Sequence, residues 1–184
     1  MKATGIVRRI DDLGRVVIPK EIRRTMRIRE GDPLEIFTDR DGEVILKKYS
    51  PIGEIGEFAQ EYVEAIYKST GHIALIGDRD AIISVAGAGK REYMDKTLSQ
   101  DLERLMMQRQ HYVSNKENGT LIPLLDQEED PEIYEAQALS PIISEGETIG
   151  VVVIASKEKG KNLSDAEQKV VHTAASFFGK QMEQ

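Results

Sequence analysis

Seven basic side chains lie between residues 8 and 27, and a cluster of this kind is typical of proteins that bind phosphate groups. Six of the seven are arginines, whose planar guanidinium group donates paired hydrogen bonds at a geometry that matches a phosphate or a guanine edge. We therefore expect a nucleic-acid partner, double-stranded DNA, for this part of the chain. The candidate binding residues are Arg8, Arg9, Arg15, Lys20, Arg23, Arg24 and Arg27.

A short helix is predicted from Pro19, because proline lacks the N–H group that the first helical position does not need. At 3.6 residues per turn, Ile22 and Met26 point to one side, where they are expected to face a core. Arg15 follows Gly14 in a turn ahead of the helix and is expected to project into a groove. A solvated arginine stripe on a surface helix is the alternative interpretation. The opposite, cationic face of the helix carries Lys20, Arg23, Arg24 and Arg27.

The charge is unevenly distributed along the chain, which has a net charge of −7 over 184 residues. Residues 1–50 contain 4 Lys and 8 Arg against 9 Asp and Glu, a net charge of +3, so the remainder carries −10. A polyanionic partner is therefore expected for the first third only. The chain has no cysteine, which excludes disulfide bonds, thiolate metal sites and cysteine nucleophiles.

Two domains are predicted, with a boundary where the charge changes sign. The sequence Tyr49-Ser50-Pro51-Ile52-Gly53 interrupts the patterns on either side, so we assign a DNA-binding domain to residues 1–50, a linker to residues 51–55 and a second domain to residues 56–184. No apolar stretch approaches the roughly 20 residues that span a membrane, and the first residues lack an apolar signal region. We expect a cytoplasmic protein without a membrane partner.

Residues 1–50 are predicted to be mostly β-strand and too few to be stable alone. The turn Asp39-Arg40-Asp41-Gly42 indicates a hairpin between the last two strands, since Asp-Gly is a strong hairpin signal. Such a short segment buries little apolar surface, and without cysteine it has no disulfide bond to stabilise it. Dimerisation is therefore expected to complete the core. The predicted strands are residues 4–10, 16–18, 34–37 and 44–48.

The sequence from Gly14 to Arg23, followed by Gly31-Asp32 and Leu34-Glu35-Ile36, resembles the swapped-hairpin DNA-binding domain of the AbrB transition-state regulators. The resemblance covers residues 1–50. We expect base contacts to combine with recognition of DNA shape, at a relaxed sequence preference. The resemblance implies that two chains interleave hairpins into one dimeric β-barrel. It also implies that the DNA is faced by Arg8, Arg15, Arg23 and Arg24.

The second domain is predicted to contain an antiparallel sheet with helices on one face and two terminal helices packed together, which assigns the chain to the α+β class. Ser164-Asp165-Ala166-Glu167 matches a capping box and starts the final helix. The apolar stripe on this helix, with Val170, Ala174 and Phe177, can pack into its own core or pair between subunits, and its width favours a bundle between subunits. Helices are predicted at residues 54–69 and 98–110, and strands at residues 73–76, 81–85, 137–143 and 147–156.

The order of these elements, with Thr148-Ile149-Gly150-Val151-Val152-Val153-Ile154 before a capped helix, resembles a GAF domain. GAF domains commonly bind small molecules over the sheet, so the resemblance leaves open an unidentified small-molecule ligand beside a structural or oligomerising role. Glu117-Asn118-Gly119 follows Asn115-Lys116, which departs from the Asn-Lys-Phe-Asp-Glu pattern of the cyclic-nucleotide-binding members. The absence of cysteine excludes a thioether-linked chromophore, and no cofactor is expected.

No catalytic or metal-binding constellation is evident in the sequence, and an enzyme is not expected. His72, His111 and His172 lie far apart along the chain and lack metal-ligand spacing. The acidic run at residues 126–130 is interpreted as a solvated loop. Gly87-Ala88-Gly89-Lys90 lacks the other residues of a phosphate-binding loop.

The order of the two domains resembles that of a family of sporulation transcription regulators of endospore-forming bacteria. The resemblance implies activation and repression of genes in the forespore, where the protein would be associated with the nucleoid. It also implies homodimers that join through the C-terminal domain into a homotetramer. One alternative is an antitoxin-like protein-binding module, since antitoxins also use swapped-hairpin domains but usually carry a disordered tail. The other is a metabolite-binding enzyme built on the second domain, for which no nucleophile or base is identifiable.

Overall fold

A computed structural model describes residues 4–183 of the protein. The chain divides into two compact units, of which the first ends at Tyr49 and the second begins at Ser50. No helix in this part of the chain is long and apolar enough to cross a membrane.

The N-terminal unit contains a short helix and an antiparallel β-hairpin, which are α1 (Lys20–Thr25), β1 (Leu34–Thr38) and β2 (Val44–Lys48). Gly42 adopts φ +82° in the turn between the strands. The Asp39 carboxylate closes the same turn by accepting the backbone N–H groups of Asp41 and Glu43. The hairpin predicted around this Asp-Gly turn is thus confirmed.

Residues 4–10 and 16–18 are not β-strands in the structure, so the strand predictions for these segments are wrong for the single chain. A tight turn joins the two segments, and in it the Asp11 N–H donates to the Arg15 carbonyl oxygen at 3.0 Å. A strand needs a partner for its backbone groups. Within residues 4–183, neither segment pairs with β1 or β2.

Helix α1 is shorter than predicted at both ends. Pro19 is the N-cap and not the first helical residue. Arg27 adopts φ +51°, and the Ile28 N–H donates to the Arg23 carbonyl oxygen at 2.7 Å, as in a Schellman motif. The left-handed residue ends the helix, so Arg27 is not on the cationic helical face and that prediction is wrong. Met26 is 57% exposed, which corrects its predicted core position within one chain.

A five-stranded antiparallel sheet forms the centre of the second unit. Its strands are β3 (Ile73–Gly77), β4 (Ile82–Ala86), β5 (Tyr112–Asn115), β6 (Ala136–Ser144) and β7 (Glu147–Ser156). The strand order is β4-β3-β7-β6-β5. Glu145 and Gly146 connect β6 to β7 with φ values of +48° and +80°, as a two-residue type I′ turn requires. The four predicted strands are confirmed, whereas β5 was too short to give a sequence signal.

Helices cover both faces of this sheet, so the prediction of helices on one face is wrong. On one face, α3 and α6 pack against alternate residues of the strands, including Val152 and Ile154. On the other face, Val151 and Val153 pack against α5 and the residue Tyr93 of α4. The continuous apolar run in β7 reflects burial on both sides. The helices are α2 (Pro51–Glu54), α3 (Gly56–Thr70), α4 (Lys90–Tyr93), α5 (Gln100–Met107) and α6 (Asp165–Gln181), with a 3₁₀ helix at Pro131–Ile133.

The terminal helices α3 and α6 pack on the same face, as predicted, and the capping box of α6 is formed by Ser164 and Glu167. Most of the apolar stripe of α6 is buried within its own subunit, including Val171, Ala174 and Phe178. The width of the stripe is therefore explained largely by the core of the unit and not by a bundle between subunits. Phe177 lies at the edge of this core and is only partly buried.

Candidate nucleic-acid interface

The Asp11 carboxylate organises the turn before α1 and holds both the backbone and the side chain of Arg15. Asp11 Oδ1 accepts the backbone N–H groups of Leu13 at 3.0 Å and Arg15 at 2.8 Å, and Oδ2 accepts the Arg15 Nε–H at 2.8 Å. Hydrogen bonds from the backbone and then the side chain of Arg15 lower the pKa of Asp11. The Arg15 side chain is 69% exposed. The turn therefore presents an oriented guanidinium group to solvent.

The other predicted basic residues lie on two neighbouring parts of the chain. Arg8 and Arg9 are exposed in the segment that precedes the turn. Lys20, Arg23 and Arg24 are exposed on α1, and the two arginines lie in its last turn, where the helix dipole favours positive charge. These five residues and Arg15 make six of the seven predicted side chains accessible to a polyanion.

Arg27 differs from the other six because it is half-buried and lies beyond the end of α1. The Lys48 Nζ donates to the Arg27 carbonyl oxygen at 2.8 Å and lies 3.6 Å from Asp32 Oδ2. Asp32 Oδ2 also accepts the Arg29 N–H at 2.7 Å, and the Asp32 side chain is only 3% exposed. These contacts fix the chain between α1 and the hairpin. Sequence reasoning missed this role of Asp32 and Lys48, because Asp32 was interpreted only as part of a turn.

Large apolar side chains are exposed over much of the N-terminal unit. Val7 is 85% exposed, and among residues 4–49 only Pro19 is classed as buried. A soluble monomer rarely leaves so many apolar side chains in water. The exposed set comprises Ile6, Val7, Ile10, Leu13, Val16, Val17, Met26, Ile36, Phe37, Val44, Leu46 and Tyr49.

Two histidines that are distant in sequence meet between β6 and α6. The rings of His111 and His172 are 4.2 Å apart and perpendicular, and His111 Nδ1 lies 2.6 Å from Ser140 Oγ. Burial and the neighbouring His172 lower the pKa of His111. A cavity of about 260 Å³ beside the pair is lined in part by Val113, Ala138, Gln168 and Lys169. No group of three or more potential metal ligands occurs among residues 4–183.

A pair of buried tyrosines lies on the face of the sheet opposite to α6. The hydroxyl groups of Tyr93 and Tyr134 are 3.0 Å apart, and the Tyr134 hydroxyl donates to Glu128 Oε1 at 2.6 Å. Glu128 Oε2 accepts the backbone N–H groups of Leu124 and Leu125. Burial raises the pKa of both tyrosines. The prediction that the acidic run is a solvated loop is therefore wrong for Glu128, which anchors this loop.

Close packing explains the first glycine of the Gly87-Ala88-Gly89-Lys90 sequence. Gly87 adopts φ +79°, and a side chain there would overlap the ring of Tyr67 and approach the His72 carbonyl oxygen. The glycine thus allows close approach of α3 to the sheet.

Two known families match the chain, one in each unit. Residues 54–183 match the family described as stage V sporulation protein T C-terminal, transcription factor. Residues 7–54 match the family described as antidote-toxin recognition MazE, bacterial antitoxin.

Two curated relatives and one solved structure show how far the similarity extends. The chain is 57% identical to stage V sporulation protein T of Bacillus subtilis (strain 168) over the full length of both proteins. It is 65% identical over 51 residues to the transition state regulatory protein AbrB of the same organism, which covers 28% of this chain and 52% of that protein. The GAF domain of an Acinetobacter phosphoenolpyruvate-protein phosphotransferase is 12% identical, covers 74% of this chain and 84% of its own, and has a TM-score of 0.55. This last likeness shows the fold alone.

Proposed function

The chain belongs to the stage V sporulation protein T family, and on this basis we propose that it regulates sporulation genes by binding DNA through its basic N-terminal surface. It is a sporulation transcription factor with an AbrB-like DNA-recognition domain and a GAF-like domain. The proposed DNA-binding residues are six exposed ones, Arg8, Arg9, Arg15, Lys20, Arg23 and Arg24, with Arg27 as a half-buried seventh just beyond the end of α1.

The observation that carries this assignment is the exposed basic surface of the N-terminal unit. The guanidinium of Arg15 is oriented toward solvent on a closed turn, and the basic face of α1 follows it directly along the chain. Exposed arginines of this kind bind phosphates and guanine edges. The test is titration of a fluorescein-labelled DNA duplex with the full chain, in which anisotropy is expected to rise with protein concentration and to fall when salt is added.

We propose that two chains form a dimer through their N-terminal units. The exposed apolar side chains of this unit, such as Val7, Val16 and Ile36, support the proposal because burying them is strongly favourable. The unpaired segments at residues 4–10 and 16–18 also offer backbone groups that a second copy could pair. A two-fold dimer would bring two copies of the basic surface to one DNA duplex and would favour a palindromic site.

We propose that dimers join into a tetramer through the edge between α3 and α6. The rings of Tyr62 and Phe177 stack with centroids 5.7 Å apart, and Phe58 lies 5.9 Å from Phe177. Phe58 remains 40% exposed, so this aromatic group extends from the core to the surface. An aromatic cluster at the surface is typical of a protein interface.

Replacing Phe58 with glutamate is expected to halve the molar mass of the assembly, because a charge would be buried in the proposed interface between dimers. Light scattering of the full chain measures the mass. The control is Met107→Glu, since Met107 is an exposed apolar residue on α5, which packs on the opposite face of the sheet from α3 and α6. A tetrameric mass in the folded Phe58 variant would contradict this interface.

A small-molecule signal is a second candidate role for the GAF-like unit, and we propose the cavity beside His111 and His172 as its site. The ring N–H groups of the two imidazoles and the Lys169 ammonium group can donate hydrogen bonds to a polar ligand over an apolar floor that includes Ala138, and the Asp165 carboxylate also lines the cavity. The regulatory role would then lie on the α6 side of the sheet. The other face is filled by Tyr93 and Tyr134.

The remaining parts of the proposal follow from the family. We propose that the protein acts in the cytoplasm of the forespore, associated with the nucleoid, that it both activates and represses genes, and that it has no catalytic activity. The match of residues 7–54 to an antitoxin family keeps a protein-binding module as the second candidate. The full-length similarity to a transcription factor favours DNA regulation over that candidate.

A further inference from the structure

We infer that Asp11 is a positioning residue for DNA recognition, because its carboxylate orients the Arg15 guanidinium group before DNA binds. The inference rests on the proposed DNA-binding function and goes beyond it by giving an acidic residue a favourable role on a basic surface. It also predicts that removing the negative charge of Asp11 weakens DNA binding, whereas simple electrostatics predicts that it tightens binding.

The geometry ties the carboxylate to Arg15 at two independent points. One oxygen of Asp11 accepts the Arg15 backbone N–H at 2.8 Å, and the other accepts the Arg15 Nε–H at 2.8 Å. The Asp11 N–H in turn donates to the Arg15 carbonyl oxygen, and the Gly14 N–H donates to the Asp11 carbonyl oxygen, both at 3.0 Å. Backbone and side chain of Arg15 are therefore held by the same residue.

The contact with Asp11 leaves the two terminal nitrogens of the Arg15 guanidinium group available to bind DNA. Arginine has five N–H donors, and Asp11 uses only the donor on Nε. The outer edge, formed by the two terminal nitrogens, matches the O6 and N7 acceptors of guanine. A side chain that is already oriented loses less conformational freedom when it binds. Asp11 is therefore expected to favour binding although its charge repels phosphate.

The neighbouring residue Asp12 provides a matched control. Asp12 carries the same charge and is exposed, and it makes no ion pair within the part of the chain that the structure describes. Replacing either residue with asparagine removes one negative charge per chain. Electrostatics alone therefore predicts slightly tighter DNA binding for both variants, and by a similar factor.

The test compares the full-length protein with Asp11→Asn and Asp12→Asn by anisotropy of a labelled duplex at fixed salt. We expect Asp11→Asn to bind at least threefold more weakly than the unmodified protein, and Asp12→Asn to bind as tightly or more tightly. Equal or tighter binding by Asp11→Asn would overturn the inference. If the unmodified protein fails to bind DNA, the proposed function fails instead, so the two failures are distinguishable.

A double-mutant cycle separates orientation of the side chain from support of the turn. If Asp11 acts through the Arg15 guanidinium group, Asp11→Asn will not weaken binding in an Arg15→Ala background. If Asp11 only supports the backbone of the turn, the same loss will persist in that background, and the inference is overturned. Asp11→Glu keeps the charge but moves the carboxylate, so its binding is expected to be weaker than that of the unmodified protein. Circular dichroism and light scattering confirm that the variants are folded assemblies.

Discussion

Replacing Arg15 with alanine is expected to weaken binding of the full chain to duplex DNA more than tenfold. Arg15 projects from a closed turn, and its exposed guanidinium group is oriented by Asp11. A bidentate contact to a base contributes about 1–3 kcal/mol. A two-fold dimer would lose two such contacts, and about 1.4 kcal/mol already corresponds to a factor of ten. Fluorescence anisotropy of a labelled duplex at fixed salt measures the change.

The control for this substitution is Arg91→Ala in the second unit. Arg91 is also exposed, so its loss changes the net charge of the chain by the same amount. The mass of the Arg15 variant by light scattering is expected to match that of the unmodified protein, because the side chain makes no contribution to a core. Undiminished affinity in the Arg15 variant would remove this residue from the interface.

Replacing Gly179 with alanine is expected to destabilise the second unit by about 1–3 kcal/mol, as for other overpacked positions. A methyl group at this position would overlap the Ile143 carbonyl oxygen, because α6 passes directly over β6 there. The obstructing atom belongs to the backbone of β6, which is paired on both sides in the sheet, so it cannot move as the end of a flexible side chain can. Urea unfolding followed by circular dichroism measures the free energy of unfolding.

Gly56→Ala provides the matched control, because it makes the same change in the other terminal helix. Gly56 lies in α3 with no atom within 4 Å of an added methyl group. Alanine is favoured over glycine in helices by up to about 1 kcal/mol, so this variant is expected to be unchanged or slightly more stable. Equal stabilities of the two variants would contradict the close packing of α6 on β6.

Local signals in the sequence predicted the elements that depend on neighbouring residues. The Asp41-Gly42 turn predicted the hairpin of β1 and β2, and the Ser164–Glu167 capping box predicted the start of α6. In both motifs the hydrogen bonds join residues that are only a few positions apart in the sequence. For the same reason, the basic residues of α1 could be assigned to one surface, and Arg15 to a turn.

Contacts between distant residues could not be predicted in this way. His111 and His172 meet only because β6 brings the start of β5 under α6. The Lys48 contact to the Arg27 carbonyl oxygen needs the hairpin to fold back on the end of α1. Periodicity also missed the left-handed conformation of Arg27, since glycine usually occupies that position. Segments 4–10 and 16–18 have strand-like patterns, but neither segment pairs with a strand within residues 4–183.

The salt dependence of DNA binding by the full chain reports directly on how many phosphates the basic surface contacts. If a dimer contacts about eight phosphates, the plot of log K against log salt concentration should have a slope of about −7. The same series with the Arg23→Ala, Arg24→Ala double variant should have a shallower slope, because fewer counterions are released. Absence of DNA binding would contradict the claim that the N-terminal basic surface binds DNA. A slope close to zero that is the same in the double variant would contradict it as well.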